Sequence, residues 1–219
     1  VKKIVFSSSA TVYGDPEELP IRETSRLSTT NPYGATKLYI EGILRDLYIS
    51  DNEWSIAILR YFNPVGAHKS GLIGEDPNGI PNNLMPIIMK VAKGEMKELS
   101  IYGNDYPTPD GTCIRDYIHV NDLASAHIAA YEYLSEKNQS NIFNLGNGQG
   151  YSVREIIDMC KKVTGRDFNG EIADRREGDP DILIADASKI ENELGWKPKY
   201  DLECIVSSAW KWHQKVNNI

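Results

Sequence analysis

Val1-Lys-Lys-Ile-Val-Phe-Ser-Ser-Ser9-Ala-Thr-Val-Tyr-Gly14 opens the chain with an apolar centre, Ile4 to Phe6, that runs out into small hydroxyl residues. A buried parallel strand has this form where it opens into a site. Lys2 to Ser9 is therefore read as a strand of an α/β sheet. The segment Ser7 to Gly14 then lies at its C-terminal end, where open α/β sheets place their ligands.

Working outward, the pattern turns helical at Asn31. Pro32 suits a first turn, and Ile40, Ile43, Leu44 and Leu47 recur at three-and-four spacing. Ser55 to Phe62 returns to strand. Leu84, Ile87, Ile88 and Val91 form a second helical stripe ending before Gly94, and Leu99 to Tyr102 reads as a short strand. After a Gly/Pro/Asp loop from Gly103 to Thr112, Arg115 to Val120 is extended. Leu123, Ala126, Ala130 and Leu134 mark the next helix, and Asn141 to Leu145 the next strand. Ser152-Val-Arg-Glu155 is a capping box opening a helix that stops at Gly165. Helices near Ala187 to Leu194 and Leu202 to Val216 close the chain. Strands alternating with helices indicate α/β architecture with a parallel sheet and crossover connections. Lobe boundaries are expected at Asn63 to Pro81 and Thr164 to Gly178, where Gly, Pro, Asn and charge replace the periodic pattern.

With 219 residues and 41% apolar composition, the chain can bury one good core and divide it between two lobes. No apolar run reaches bilayer length and the opening segment turns polar too soon for a signal peptide, so a cytoplasmic location is expected and no membrane partner. A net charge of -7 without a basic block argues against nucleic acid. A small anion needs only two or three placed arginines. Cys113, Cys160 and Cys204 are widely spaced and form no metal-ligand pattern, so no metal is expected and all three are read as reduced, buried thiols.

Tyr33 and Lys37 stand four apart at the start of the Asn31 helix and project from one face, with Ile40 and Leu44 on the same stripe, towards the expected core. A lysine beside a tyrosine favours the phenolate, which turns a phenol into a general base. The same spacing also occurs in ordinary amphipathic helices. The hydroxyls of Ser7 to Ser9 could share a proton with Tyr33. His119 and His127 fall in apolar patterns and are read as core histidines. Trp210 and Trp212 are read as packing a terminal helix. Gly146-Asn-Gly-Gln-Gly150 has Tyr151 where a dinucleotide fingerprint needs its third glycine, and is read as a backbone turn. Arg175-Arg176, on its own, reads as a solvated loop.

The Ser-Ser-Ser-Ala-Thr-Val-Tyr-Gly run followed by Tyr33-Gly-Ala-Thr-Lys37 resembles the extended short-chain dehydrogenase/reductase superfamily. Arg60-Tyr-Phe-Asn-Pro-Val-Gly-Ala-His68, Gly79-Ile-Pro-Asn-Asn-Leu-Met-Pro86 and Gly103-Asn-Asp-Tyr-Pro107 resemble its UDP-galactose 4-epimerase family. The resemblance covers essentially the whole chain. It implies NAD as cofactor and interconversion of UDP-galactose and UDP-glucose by oxidation at C4, rotation of the 4-keto sugar and re-reduction on its other face. It makes Tyr33 the base, Ser9 a hydrogen-bond relay and Lys37 the holder of the cofactor ribose, with Phe62 beside the nicotinamide. Asn63, Asn83 and Leu84 would contact substrate, Ser100, Ile101 and Tyr102 would flank the uracil, and Arg115 and Arg176 would hold the diphosphate. Asp179 would bind the uridine ribose. Leu183 sits where the family varies between a bulky aromatic and a small residue, implying preference for sugars that are not N-acetylated. A homodimer using the Asn31 helix is also implied.

The implied fold is the remainder of a doubly wound Rossmann-type parallel sheet lacking its first βαβ units, plus a smaller mixed α/β substrate-binding lobe. Residues 1–63 would belong to the NAD-binding domain, with 104–140 partly returning to it; 64–103 and 141–219 would form mainly the substrate lobe. A glycine-rich first turn and an acidic residue about 20 positions on, which grip NAD in such folds, do not occur in these residues. This chain alone is accordingly expected neither to bind NAD tightly nor to turn over substrate. Another epimerase or a dehydratase of the superfamily is the nearest rival. Dehydratases place an acid pair after the serine, whereas Ala10-Thr11 follows Ser9 here. A non-catalytic nucleotide-sugar-binding protein is the second rival, and retention of Ser9, Tyr33 and Lys37 together speaks against it.

Overall fold

The computed structural model describes residues 1–79 and 81–217. Ile80 of the Gly79–Pro86 motif and residues 218–219, at the end of the expected second lobe, lie outside the described residues. Strand β1 (Lys3–Ser9) leads through a 3₁₀ turn (Ala10–Tyr13) and a loop into α1 (Pro32–Ser50) and β2 (Ser55–Tyr61). The chain continues through β3 (Asn63–Val65), α2 (Leu84–Lys93), β4 (Leu99–Tyr102), β5 (Ile114–His119), α3 (Val120–Lys137) and β6 (Asn141–Leu145). It ends with β7 (Gly150–Ser152), α4 (Val153–Thr164), β8 (Gly170–Ala173), β9 (Ile182–Leu183), α5 (Ser188–Leu194) and α6 (Leu202–Asn217).

Strands β1, β2 and β6 form a parallel sheet with β2 central, in the register Lys3 opposite Ser55 and Ala57 opposite Asn141. An inner strand must be apolar on both faces, and β2 is buried from Ser55 through Arg60. Its alternate side chains serve two layers. Ile56 and Ile58 meet Leu44 of α1 on one face, while Ala57 and Leu59 meet Ala126, Ala130 and Leu134 of α3 on the other. The expected strand Ser55 to Phe62 is broken at its end. β2 stops at Tyr61, the Phe62 amide still donates to Leu145 O (3.0 Å), and Asn63 begins β3 in a second sheet. That sheet is built on β5, which takes β3 and β9 as parallel neighbours and β7 as an antiparallel one. The parallel pair β4 and β8 is separate. The second core gathers Ile88 and Met89 of α2, Ile101, Ile156 and Cys160 of α4, and Ile205 and Val206 of α6.

Two expectations are corrected. On α1, of the stripe Ile40, Ile43, Leu44 and Leu47, only Leu44 is buried; Ile43 is 64% exposed. The buried position between Lys37 and Leu44 is Glu41, so the helix faces the sheet with a carboxylate, and Tyr33 is 51% exposed at the open strand ends instead of pointing into the core. Cys204 is exposed, whereas Cys113 and Cys160 are buried; all three are free. Trp210 and Trp212 are buried along α6 and His119 is buried as read, its ring bonded to Ser208 Oγ (3.0 Å) and stacked on Tyr200. His127 is partly buried with Ser7 Oγ at 2.7 Å from its Nε2. Among the described residues no helix is long and apolar enough to cross a membrane.

Candidate active site

Ser9 is both the last residue of β1 and the cap of the 3₁₀ turn, its Oγ accepting from the Thr11 amide (3.2 Å) and the Thr11 hydroxyl (3.0 Å). The loop after this turn must reverse sharply. Gly14, at φ +60°, allows it: a Cβ there would lie 1.6 Å from Ser28 O. Helix α1 then starts against the turn, capped by Asn31 Oδ1, which accepts from the Gly34 amide (2.8 Å). Gly34 makes the close approach possible, since a Cβ would sit 2.7 Å from Thr11 O. Tyr33 is thereby set over the strand end. Lys37 Nζ donates to Ser7 O (2.9 Å) and stands 5.6 Å from the Tyr33 ring centroid.

A cavity of about 290 Å³ adjoins this constellation, with Thr11 and Asn31 in its wall. It collects Asn63, Asn83, Leu84, Ser100, Tyr102, Arg115, Arg176, Asp179 and Leu183, which lie as far apart in the sequence as β3 and β9. Each strand contributes by register. The pairing of Arg115 with Leu183 places β5 beside β9, and the in-and-out alternation of β4 turns Ser100 and Tyr102 to the cavity while Ile101 enters the core. Phe62 is not in the wall; it is buried beneath the turn with Ala10, Val12 and Leu183. A wider hollow of about 510 Å³ shares the Arg176–Pro180 segment and is bordered by Arg175.

Cations dominate the polar chemistry of the cavity. Arg115 is buried, donates through Nη1 to Ile114 O (2.8 Å) and pairs through Nη2 with Asp179. The Arg176 guanidinium lies 3.9 Å over the Tyr102 ring, and its proximity holds the Tyr102 phenol below its ordinary range. Arg175 stacks on Tyr106 at 4.0 Å and bonds Asp105 Oδ1 (2.7 Å). Arg175-Arg176 is thus not a freely solvated loop. Behind the wall, buried Asp116 accepts from the amides of Asn147 (2.7 Å), Gly148 (2.9 Å) and Ala185 (3.2 Å), so the glycine segment is a backbone turn around a carboxylate. Burial pushes Asp116 up to about 6 against the pull of those amides.

Sequence reasoning missed Thr11, Asn31, Cys113 and Tyr117 in the wall. Of the hydroxyls expected to share a proton with Tyr33, Ser7 Oγ instead meets His127 and Ser8 Oγ donates to Glu41, and the rest of the buried set behind the catalytic candidates, Tyr13, Glu41, Arg60 and Asn144, was missed. A signal existed for two of them: Glu41 continues the four-residue period of Tyr33 and Lys37, and Arg60 interrupts an otherwise apolar strand.

The family model described as GDP-mannose 4,6 dehydratase matches residues 1–209. The UDP-glucose 4-epimerase of Bacillus subtilis (strain 168) is 57% identical over 218 residues, a match covering 100% of this chain and 64% of that protein. The UDP-glucose 4-epimerase of Dictyostelium discoideum is 56% identical, covering 99% and 63%. Among solved structures, the UDP-glucose-4-epimerase from Stenotrophomonas maltophila with bound NAD and formylated UDP-arabinopyranose superimposes with a TM-score of 0.97 at 49% identity, over 100% of this chain and 65% of that one. The Bifidobacterium longum UDP-glucose 4-epimerase in complex with NAD+ and UDP gives 0.94 at 53% identity, over 100% and 65%. The chain spans about 64% of the length of the first of these curated relatives. It belongs to the family that the model describes as GDP-mannose 4,6 dehydratase, and within it is related in sequence and fold to the UDP-glucose 4-epimerases.

Proposed function

We propose that the protein carrying this chain interconverts UDP-galactose and UDP-glucose with NAD as cofactor. The observation that carries the reading is continuity: Ser9, Tyr33 and Lys37 at the open end of a parallel sheet adjoin a cavity walled by Arg115 and Arg176. Fixed guanidinium forks hold a diphosphate against water. Asp179 offers a carboxylate to ribose hydroxyls, and Tyr102 with Ser100 offers a flat, polar-edged surface to a pyrimidine. Few side chains are left to grip a hexose, which suits a sugar that must turn over during the reaction.

The residues present fit the nicotinamide-ribose end of a dinucleotide. Lys37 commits one ammonium hydrogen to Ser7 O, which leaves two for ribose hydroxyls. Phe62 supplies an apolar floor beneath the turn. When bound, NAD supplies two-electron oxidation and re-reduction at C4 of the sugar. Tyr33 takes the proton from the 4-hydroxyl oxygen and gives it back to that same oxygen once the sugar has presented its other face for re-reduction, Ser9 relays a hydrogen bond to this oxygen, and Arg115 and Arg176 keep the diphosphate fixed while the sugar rotates about it. Without a glycine fingerprint, residues 1–219 alone neither retain NAD tightly nor turn over; stoichiometric NAD in that purified piece would contradict this.

The same reading assigns residues 1–63 to the cofactor, with 104–140 partly returning to it, and 64–103 and 141–219 mainly to the substrate, puts the protein in the cytoplasm, and makes it a homodimer. Exposed Tyr39, Ile43 and Ile49 on α1 support an apolar seam there. The test is conversion of UDP-galactose to UDP-glucose by the full-length protein. Tyr33→Phe should lower kcat at least about 10²-fold while UDP still binds; full activity in that variant would sink the assignment.

A further inference from the structure

We infer that Glu41 and Arg60 form a positioning unit that sets helix α1 so that Tyr33 and Lys37 face the end of β1, a role that rests on the proposed epimerase reading. Tyr33, Lys37 and Glu41 follow one another at four-residue steps on one side of α1. Lys37 ties the helix to Ser7, and Glu41 ties it to the adjoining residue: Ser8 Oγ donates to Glu41 Oε1 (2.5 Å). Both contacts fall just before Ser9. The helix is therefore latched to this strand end at two successive turns.

Arg60, in the central strand, grips Glu41 with a two-pronged contact, Nε to Oε1 (3.0 Å) and Nη2 to Oε2 (2.6 Å). Its remaining nitrogen, Nη1, donates to Tyr13 Oη (3.0 Å) and Glu23 O (3.1 Å), and Tyr13 Oη donates onward to Asn144 Oδ1 (2.6 Å) in β6. The guanidinium thus joins α1 to the 3₁₀ turn capped by Ser9, and through Glu41–Ser8 and Tyr13–Asn144 the network reaches all three strands of the sheet. Glu41 is 5% exposed and Arg60 2%.

Stability does not explain such a pair. A buried ion pair gains little or nothing over apolar residues of like volume, because desolvation offsets the attraction. Two leucine-sized residues would hold the layers together equally well but would let the helix slide and rotate. The forked contact permits one helix position, and the catalytic candidates lie one and two turns along from it. Misplacing a reacting group by about 1 Å costs on the order of 10²-fold in rate.

The test uses the full-length protein and the triple variant Ser8→Ala/Glu41→Leu/Arg60→Met, which removes the three polar ends together so that no charge is left buried alone; Tyr13 Oη keeps its bond to Asn144, and the Glu23 carbonyl loses its Arg60 donor. Thermal unfolding, kcat and KM for UDP-galactose, and the 13Cζ tyrosine resonance of Tyr33, assigned by its loss in Tyr33→Phe, are measured side by side. The expected result is a retained unfolding midpoint, kcat lower by about 10²-fold with KM within about twofold, and a shifted or broadened Tyr33 signal. An unmoved resonance with kcat within about twofold of the parent would overturn the inference. So would a loss of activity matching the loss of folded protein, with the resonance of the folded fraction unmoved. Should the triple variant not fold, Glu41→Asp, which keeps the charge and shortens the latch by one methylene, is judged by the same readouts. If the parent protein does not epimerise UDP-galactose, the epimerase reading falls while the Tyr33 resonance still decides whether the pair positions the helix.

Discussion

Replacing Gly34 by alanine sets two opposed effects against each other. In the first turn of a helix, alanine is favoured over glycine by at most about 1 kcal/mol. Against that, the new methyl would stand 2.7 Å from Thr11 O and 3.2 Å from Thr11 C, several tenths of an ångström inside ordinary contact. Both are backbone atoms of a turn held by the Ser9 cap and by the Ser28 amide on Val12 O (3.0 Å), so no side-chain rotation relieves the overlap. Overpacking of this kind costs about 1–3 kcal/mol. The net change is a loss of about 0–3 kcal/mol in unfolding free energy. The helix start meanwhile withdraws from the turn and carries Tyr33 away from Ser9, so kcat should fall on the order of 10²-fold, out of proportion to stability. Urea unfolding and steady-state epimerase kinetics on the full-length protein measure the two together. A variant more stable by about 1 kcal/mol with unchanged kcat would show that propensity alone governs this position and that the close approach does not set the geometry.

Four further outcomes follow, two from the cavity wall and two from buried titratable groups, Asp116 behind the wall and His213 on α6. Arg176→Ala should weaken UDP binding by about 10²-fold, the worth of a charge-assisted contact, whereas Arg175→Ala, whose cation is committed to Asp105 and Tyr106, should cost less than about threefold; calorimetry showing the reverse order would refute the division of labour. Because Asp116 is raised from 3.8 to about 6 in the folded state, its contribution to stability is present below pH 4 and lost as pH rises through about 6. That amounts to about 2 kcal/mol between pH 4 and 7. Asp116→Asn should lack this fall, and urea curves with identical pH slopes in parent and variant would refute it. His213 runs the other way: burial first, then Lys93, lower it from 6.5 to about 4, so its contribution is lost as pH falls between those values and should vanish from the acid limb in His213→Gln. Leu183→Ala should raise the relative kcat/KM for UDP-N-acetylglucosamine about tenfold or more; an unchanged ratio would remove Leu183 from sugar selection.

What could be read from the chain itself was whatever local periodicity and end signals encode. The parallel strands at Lys3–Ser9, Ser55–Tyr61 and Asn141–Leu145 announce themselves as apolar runs, and the helix over Val153–Thr164 by its capping box, of which both halves form. Motifs pointed to Ser9, Tyr33 and Lys37 because strand end, turn and helix start adjoin in sequence. The cavity wall was legible only through resemblance, since residues from β3, α2, β4, β5 and the 175–183 segment meet by strand register across two sheets. Tertiary structure alone decided which face of α1 is inward. Periodicity counts apolar residues and so favoured Ile40 and Ile43, yet the sheet below offers Arg60, and a buried guanidinium left without a carboxylate is far more costly than two exposed isoleucines. Glu41 therefore took the inward position, and the helix turned with it.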